Sequence, residues 1–282
     1  MNGEMLKELR VRKGMQANEL SDGIMSASKL SKIEKYNRIV DSRDFIKILF
    51  KLNMSLEEYY IFSEERYIKE RLQAGKVVAE ALRLRQNHKY NIAIEKMNSY
   101  YEEYKDEYFR HNSCLIKAFY SNKEDIRHHL FPIISHLKSK NEWLFYELTL
   151  FNNICLYYPF EEAKMLHEKA SNQITKFYQD FKDNEITRSL LINMASHALE
   201  SNYFIEANKY SNMVIALPQS SKFVYESLFA KIILQISNFK LENGQFSSTY
   251  LKGLVDGFKM MDFRELHTNT IEIINRYEVP LE

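Results

Sequence analysis

The sequence predicts an all-α protein, with five short helices at its N-terminus and a long body of stacked helix pairs behind them. Three observations carry this. Helix breakers are scarce, with Gly 7 and Pro 4 in 282 residues and no glycine between Gly75 and Gly244, whereas a sheet protein needs glycine in its turns. Apolar residues recur three and four apart along most of the chain, which is the helical period. An aromatic-x-x-small pattern also returns through the second part, as it does in helical repeat proteins. With 45% hydrophobic residues the chain can bury a core, and its length accommodates two domains.

The head is expected to span residues 1–62. Met5, Leu6 and Leu9 share one face of a first helix, stopped at Gly14 after Arg12 and Lys13. Glu19 and Leu20 belong to a second short helix closed at Gly23. Ser26 fits an N-cap, because a serine hydroxyl accepts from a backbone N–H two or three residues on. In the helix it opens, Ser26 to Glu34, Leu30 and Ile33 point inward and leave Ala27, Ser28, Lys29 and Lys32 outside. Phe45, Ile48, Leu49 and Leu52 mark a fourth helix. Ser55-Leu56-Glu57-Glu58 is a capping box that opens a fifth, with Tyr59 and Tyr60 turned toward the bundle. This order is that of a helix-turn-helix, whose small third helix lays its outer face in a DNA major groove. Local charge agrees. Lys29, Lys32, Lys35 and Arg38 stand against Glu34 alone, although the whole chain carries a formal net charge of only +1.

Leu6-Lys7-Glu8-Leu9-Arg10 with Lys13-Gly14, then Ser28-Lys29-Leu30-Ser31-Lys32-Ile33-Glu34, then Leu49 with Lys51-Leu52-Asn53-Met54-Ser55-Leu56-Glu57-Glu58 form an ordered set. Together they resemble the Rgg/MutR branch of peptide-responsive Gram-positive regulators, whose N-terminal domain is an Xre-type helix-turn-helix. The resemblance implies a pair between Arg10 and Glu34 across the bundle. It also implies double-stranded DNA and a short signalling peptide as partners, and a homodimer that joins two half-sites. Ser28 and Lys29 are then expected at base edges and Lys32, Lys35 and Arg38 at phosphates, with Ser26 beside them at the helix start. The sequence departs from the family at three places. Ala17 stands where the family has Gln, and Ala27 where it has Arg. Glu34-Lys35-Tyr36 replaces a Glu-Arg-Gly turn, so the third helix is expected to lose its glycine stop. Gln16, one position early, is the expected substitute for the missing Gln. These departures keep a second reading open: a peptide- or protein-binding helical-repeat scaffold whose helix-turn-helix no longer reads DNA.

Residues 63–86, rich in charge at Glu64, Glu65, Arg66, Lys69, Glu70 and Arg71, read as a helical connector with Gly75 as its sole glycine. The body, 87–282, carries Tyr90-x-x-Ala93, Phe160-x-x-Ala163 and Phe204-x-x-Ala207, each after a polar turn. Phe246 begins a further copy without the alanine, and another unit lies around Glu124 to Lys138. A small residue one turn into a second helix lets paired helices approach closely, as in tetratricopeptide repeats of about 34 residues. The intervals here are longer and irregular, so the body is tetratricopeptide-like. Among the first helices of the pairs, Asn152, Asn153 and Asn193 sit in apolar runs. A buried amide must be satisfied, and an extended peptide offers it alternating C=O and N–H groups; a neighbouring helix end would serve as well. Arg188 and Lys231, on the same candidate helices, are placed to neutralise a peptide carboxylate.

Other chemistry is missing from the sequence. Cys114 and Cys155 stand alone in apolar runs, without C-x-x-C spacing. His128, His129 and His136 lack a carboxylate set, and no metalloprotease, phosphate-loop or nucleophile-elbow motif occurs. The expectation is no enzyme, no metal and no cofactor. With no signal-like start and no run of 18 apolar residues, the chain is expected to be cytoplasmic and without a membrane partner.

Overall fold

The computed structural model describes residues 1–63, 65–84, 87–177 and 185–281, and every long element among them is an α-helix. The head contains α1 (Gly3–Arg12), α2 (Ala17–Ser21), α3 (Ala27–Lys35), α4 (Ser42–Lys51) and α5 (Leu56–Phe62). Behind it come α6 (Arg66–Leu84), α7 (Asn87–Tyr104), α8 (Glu107–Tyr120) and α9 (Lys123–Ser139). The rest comprises α10 (Phe145–Ile154), α11 (Phe160–Phe177), α12 (Glu185–Glu200), α13 (Phe204–Ala216), α14 (Val224–Lys240), α15 (Ser248–Met260) and α16 (Arg264–Arg276). Glu64, expected in the connector, and its last two positions, Arg85 and Gln86, lie outside the described residues. Two compact units emerge, Met1–Ile116 and Lys117–Glu282.

The head forms as its caps dictate. Asn2 opens α1 by accepting from Met5 N, and Ser26 opens α3 by accepting from Lys29 N at 3.1 Å. Asp41 opens α4 by accepting from Arg43 and Asp44, and Ser55 and Glu58 close the expected box on α5. Leu6, Leu20, Leu30, Ile48 and Leu52 are fully buried together, each contributing about 2 kcal/mol of apolar burial.

The glycine stop after α3 is lost as expected, but the helix is still stopped, one residue later. Tyr36 does replace the family's glycine, but it keeps φ −103, and Asn37 takes the left-handed conformation at φ 47. Arg38 N then bonds Ile33 O at 3.0 Å, the six-to-one closure of a Schellman turn. Asn53, Asn202 and Asp262 repeat the device, with Met54 N on Leu49 O, Tyr203 N on Ala198 O and Phe263 N on Phe258 O. Short polar side chains tolerate this region better than other L residues, which is how so glycine-poor a chain ends so many helices.

The aromatic-x-x-small sites fall on the second helices of the pairs. Phe160 and Phe204 are the first residues of α11 and α13, and Ala163 and Ala207 are completely buried against their neighbours. Phe160 meets Tyr203 at 4.5 Å between ring centroids. Tyr90 and Ala93 lie in α7, the extra unit is α9, and Phe246 lies just ahead of α15. Trp143 is fully buried and donates its indole N–H to Leu137 O at 3.1 Å.

Gly3, unremarked in the sequence, controls how α1 meets α3. A Cβ there would fall essentially on the Ile33 carbonyl oxygen, 2.6 Å from its carbon and 3.2 Å from Asn37 Cα. Gly3→Ala is therefore expected to cost roughly 3 kcal/mol; it should lower the head's thermal midpoint, and an unchanged melting curve would rule out the contact.

Candidate functional site

The α3 helix is held from behind at several points. Leu30 and Ile33 enter the core as expected. Arg10 forks onto Glu34, Nε to Oε1 at 2.7 Å and Nη2 to Oε2 at 2.8 Å, while its Nη1 donates to Met15 O. That is the expected cross-bundle pair, with the guanidinium's charged form favoured first by the Glu34 hydrogen bond. Asn37 Oδ1 also accepts from Glu4 N at 2.8 Å, tying the turn after α3 to the start of α1.

With its back so fixed, α3 presents Ala27, Ser28, Ser31, Lys32 and Lys35 to solvent, with Arg38 exposed just beyond. Gln16 is exposed at the N-cap of α2, where its N–H donates to Glu19 at 3.3 Å. Ser26 has its hydroxyl engaged as the cap.

Lys29 departs from expectation. Its Nζ lies 2.6 Å from Asp44 Oδ2 and 3.7 Å from Asp41 Oδ2, so it ties α3 to α4 rather than standing free for a base edge. The Asp44 hydrogen bond is the first cause that raises its pKa. Half of the side chain still meets solvent, with 51% exposed.

In the second unit α12 packs against both α10 and α14. Asn193 Nδ2 donates to Asn152 O at 3.1 Å and to Asn152 Oδ1 at 3.0 Å, and Asn152 Nδ2 donates to Ser189 Oγ at 2.9 Å. These amides are thus satisfied within the fold, joining α10 to α12. Asn153 is exposed beside them, and Lys231 is half-buried on α14. Arg188 is a correction. It is completely buried, donates Nη2 to Pro218 O at 2.6 Å and lies 4.4 Å over the Phe223 ring. It pins the loop between α13 and α14 and has no surface from which to meet a peptide carboxylate.

Residues 88–271 match the family profile described as HTH-type transcriptional regulator Rgg, C-terminal domain. The chain belongs to the Rgg family. No curated protein matches the sequence. Solved structures share the fold at low identity. The SHP pheromone receptor Rgg2 of Streptococcus dysgalactiae superposes with a TM-score of 0.64 at 18% identity, covering 98% of each chain. Bacillus thuringiensis PlcR, in complex with the peptide PapR7 and DNA, gives 0.69 at 16% identity, over 97% of this chain and 98% of that one. A proposed transcriptional regulator from Listeria monocytogenes gives 0.70 at 14%, over 99% and 98%.

The histidines singled out in the sequence of this Rgg-family chain make contacts within the fold. His136 Nε2 meets Glu147 at 3.0 Å, and the His128 and His129 rings pack edge to face at 5.8 Å. Among the described residues no group of three His, Cys, Asp or Glu is placed to hold a metal, and no helix is long and apolar enough to cross a membrane. Cys114 and Cys155 are both buried, and burial pushes the Cys155 thiol up to about 12. Sequence reasoning missed Gly3, Asn37, Asp41, Asp44 and Ser189; only Asp41 had a readable signal, as an N-cap ahead of α4.

Burial, then Lys209, holds His167 down to about 4, and its ring packs on Tyr210 at 5.1 Å. Its folded pKa lies below the ordinary 6.5, so the unfolded chain binds the extra proton. The corresponding stability, on the order of 3 kcal/mol, is present above pH 6.5 and is lost as pH falls toward about 4. His167→Phe should flatten that acid dependence in a thermal-shift series; an identical slope in the variant would show that His167 does not titrate so.

Proposed function

We propose that this Rgg-family regulator reads duplex DNA through the outer face of α3 and answers to a short peptide bound by its helical body. The single observation that carries the DNA reading is the clamp behind α3. Arg10, Asn37, Leu30 and Ile33 are all spent on holding the helix. Ser28, Lys32, Lys35 and Arg38 therefore remain outward as a group whose chemistry suits base edges and phosphates. Residues 1–62 act as the reading head, 63–86 as the connector and 87–282 as the sensor. Two copies are needed, because one short recognition helix makes too few contacts for operator affinity. The regulator works in the cytoplasm, where its operator is.

PlcR and Rgg2, with which this chain shares its fold, are respectively in complex with the peptide PapR7 and DNA and named a pheromone receptor. Asn153, exposed beside the Asn152–Asn193 pair, and Lys231 are the residues left to meet a peptide here. An extended peptide's C=O and N–H groups fit an amide, and its carboxylate fits the ammonium.

The capture of Lys29 by Asp44, together with Ala17 and Ala27, favours a second reading, a helical-repeat scaffold whose head has lost DNA. Titration of the full chain against duplexes selected from a random library separates the two. Lys32→Ala should weaken binding and lower the salt slope by about one. Lys29→Ala should leave that slope unchanged and lower the thermal midpoint only slightly, because a solvent-exposed tether contributes little. Failure of the unaltered chain to bind any duplex at low salt, with or without peptide, would establish the scaffold.

The peptide site has its own check. With an apolar peptide selected on the full chain, Asn153→Ala should reduce calorimetric affinity about fivefold or more while the melting temperature holds. Undiminished affinity would remove Asn153 from the site.

A further inference from the structure

We infer that Tyr36 is a DNA-backbone contact, whose phenol, steadied by Lys35 and Arg38, donates to a phosphate bordering the groove that α3 enters. This rests on the DNA-reading proposal above and extends it to a residue outside the matched helix-turn-helix pattern.

The placement follows from the backbone. Tyr36 caps α3 at φ −103, and Asn37 then turns the chain through its left-handed conformation at φ 47. The turn leads the main chain back toward the core, where Val40 N bonds Met1 O and Val40 is buried. The Tyr36 ring is left outside, 58% exposed. Four residues after Lys32 and seven after Lys29, it continues the same flank of the helix.

Two cations attend the ring. Lys35 Nζ lies 5.4 Å from its centroid and Arg38 Cζ 5.6 Å. Such contacts restrict where the phenol points and gather two positive charges around one neutral donor. That set matches a single phosphodiester, whose charged oxygens take a short O–H bond and N–H bonds together. Two other tyrosines use their hydroxyls within the fold. Tyr67 donates to Asp106 and Tyr277 to Leu199 O, both at 2.8 Å. Tyr36 is turned away from such partners.

The flank also has a deficit to make good. Lys29, one helical stretch back, is engaged with Asp44 and Asp41. An exposed phenol beyond it adds a donor at the other end of α3, for a phosphate where Lys29 was expected at a base edge.

The test uses the full chain and two duplexes, one selected from a random library and one of scrambled sequence. Tyr36→Phe keeps the ring and the cation contacts and removes only the hydroxyl. It should weaken binding to both duplexes about tenfold to a hundredfold, the range for a hydrogen bond to a charged group. The dependence of affinity on salt should stay as in the unaltered chain, because a neutral donor releases no counterion. Lys35→Ala, by contrast, should lower that slope by about one. The thermal midpoint of the Phe variant should not move, since the hydroxyl stabilises nothing within the head. Equal affinity of the Phe variant and the unaltered chain overturns the inference while the DNA reading stands. A loss confined to the selected duplex overturns it as well, since a backbone contact is blind to sequence. No binding by the unaltered chain removes both.

Discussion

The orientation of α3 depends on a backbone contact that only glycine permits. Nine residues of helix have little stability of their own, so neighbouring elements must fix where that helix points. Gly3 lets the first turn of α1 rest directly on the Ile33 carbonyl. Asn37 returns a side-chain oxygen to Glu4 N, and Arg10 forks onto Glu34. The terms differ in kind. Burial of Leu30 and Ile33 supplies most of the attraction, about 2 kcal/mol each, but a greasy contact is tolerant of rotation. The bidentate Arg10 pair and the Gly3 contact are not, and they fix the azimuth that keeps Ser28, Lys32 and Lys35 outward. Because none of those three is needed for folding, their chemistry is available for recognition.

The parts of this arrangement that were legible in the sequence are those with a local signature. Ser26 and Ser55 show as caps because N-cap chemistry acts within three residues. Leu30, Ile33, Ile48 and Leu52 show because a helix repeats every 3.6 residues, and Ala163 and Ala207 show because each follows an aromatic at a fixed offset. The Arg10–Glu34 pair came from the ordered resemblance, and the structure places it at 2.7 Å. What stayed hidden depends on separations of fifteen to thirty residues. Lys29 reads as an outward cation on its own helix; only the position of α4 shows that Asp44 is within reach of it. Arg188 reads as a polar residue on a candidate inner face, yet packing of the loop after α13 encloses it completely. Gly3 lacks any periodic pattern, since its role is to leave room for a carbonyl thirty residues away.

Scarcity of glycine was rightly a sign of helices, but it did not mean that helices end without left-handed residues. Asn37, Asn53, Asn202 and Asp262 take that conformation, as do Lys105, Glu242 and Glu278. A side chain there costs on the order of 1 kcal/mol relative to glycine. Against that cost, asparagine brings a usable amide. At Asn37 the oxygen reaches α1, something glycine cannot do. The family's glycine position, occupied by Tyr36, is thereby released from turning the chain, and a large ring can stand there exposed. Loss of a glycine stop and gain of an exposed aromatic are two sides of one rearrangement.

In the body, the same accounting of polar groups sets the terms for any ligand. Asn193 donates to Asn152 and Asn152 to Ser189 Oγ, so these amides carry little penalty without a ligand. A peptide that engaged these amides would exchange internal hydrogen bonds for new ones, with a net return of about 1 kcal/mol or less for each. Asn153 has no such bond to surrender, so a contact with it adds to affinity without that exchange. Binding at Asn153 and breaking of the Asn152–Asn193 link are consequently separable events. In the proposed peptide site the first would hold the ligand. The second would loosen α10 from α12, which these amides join.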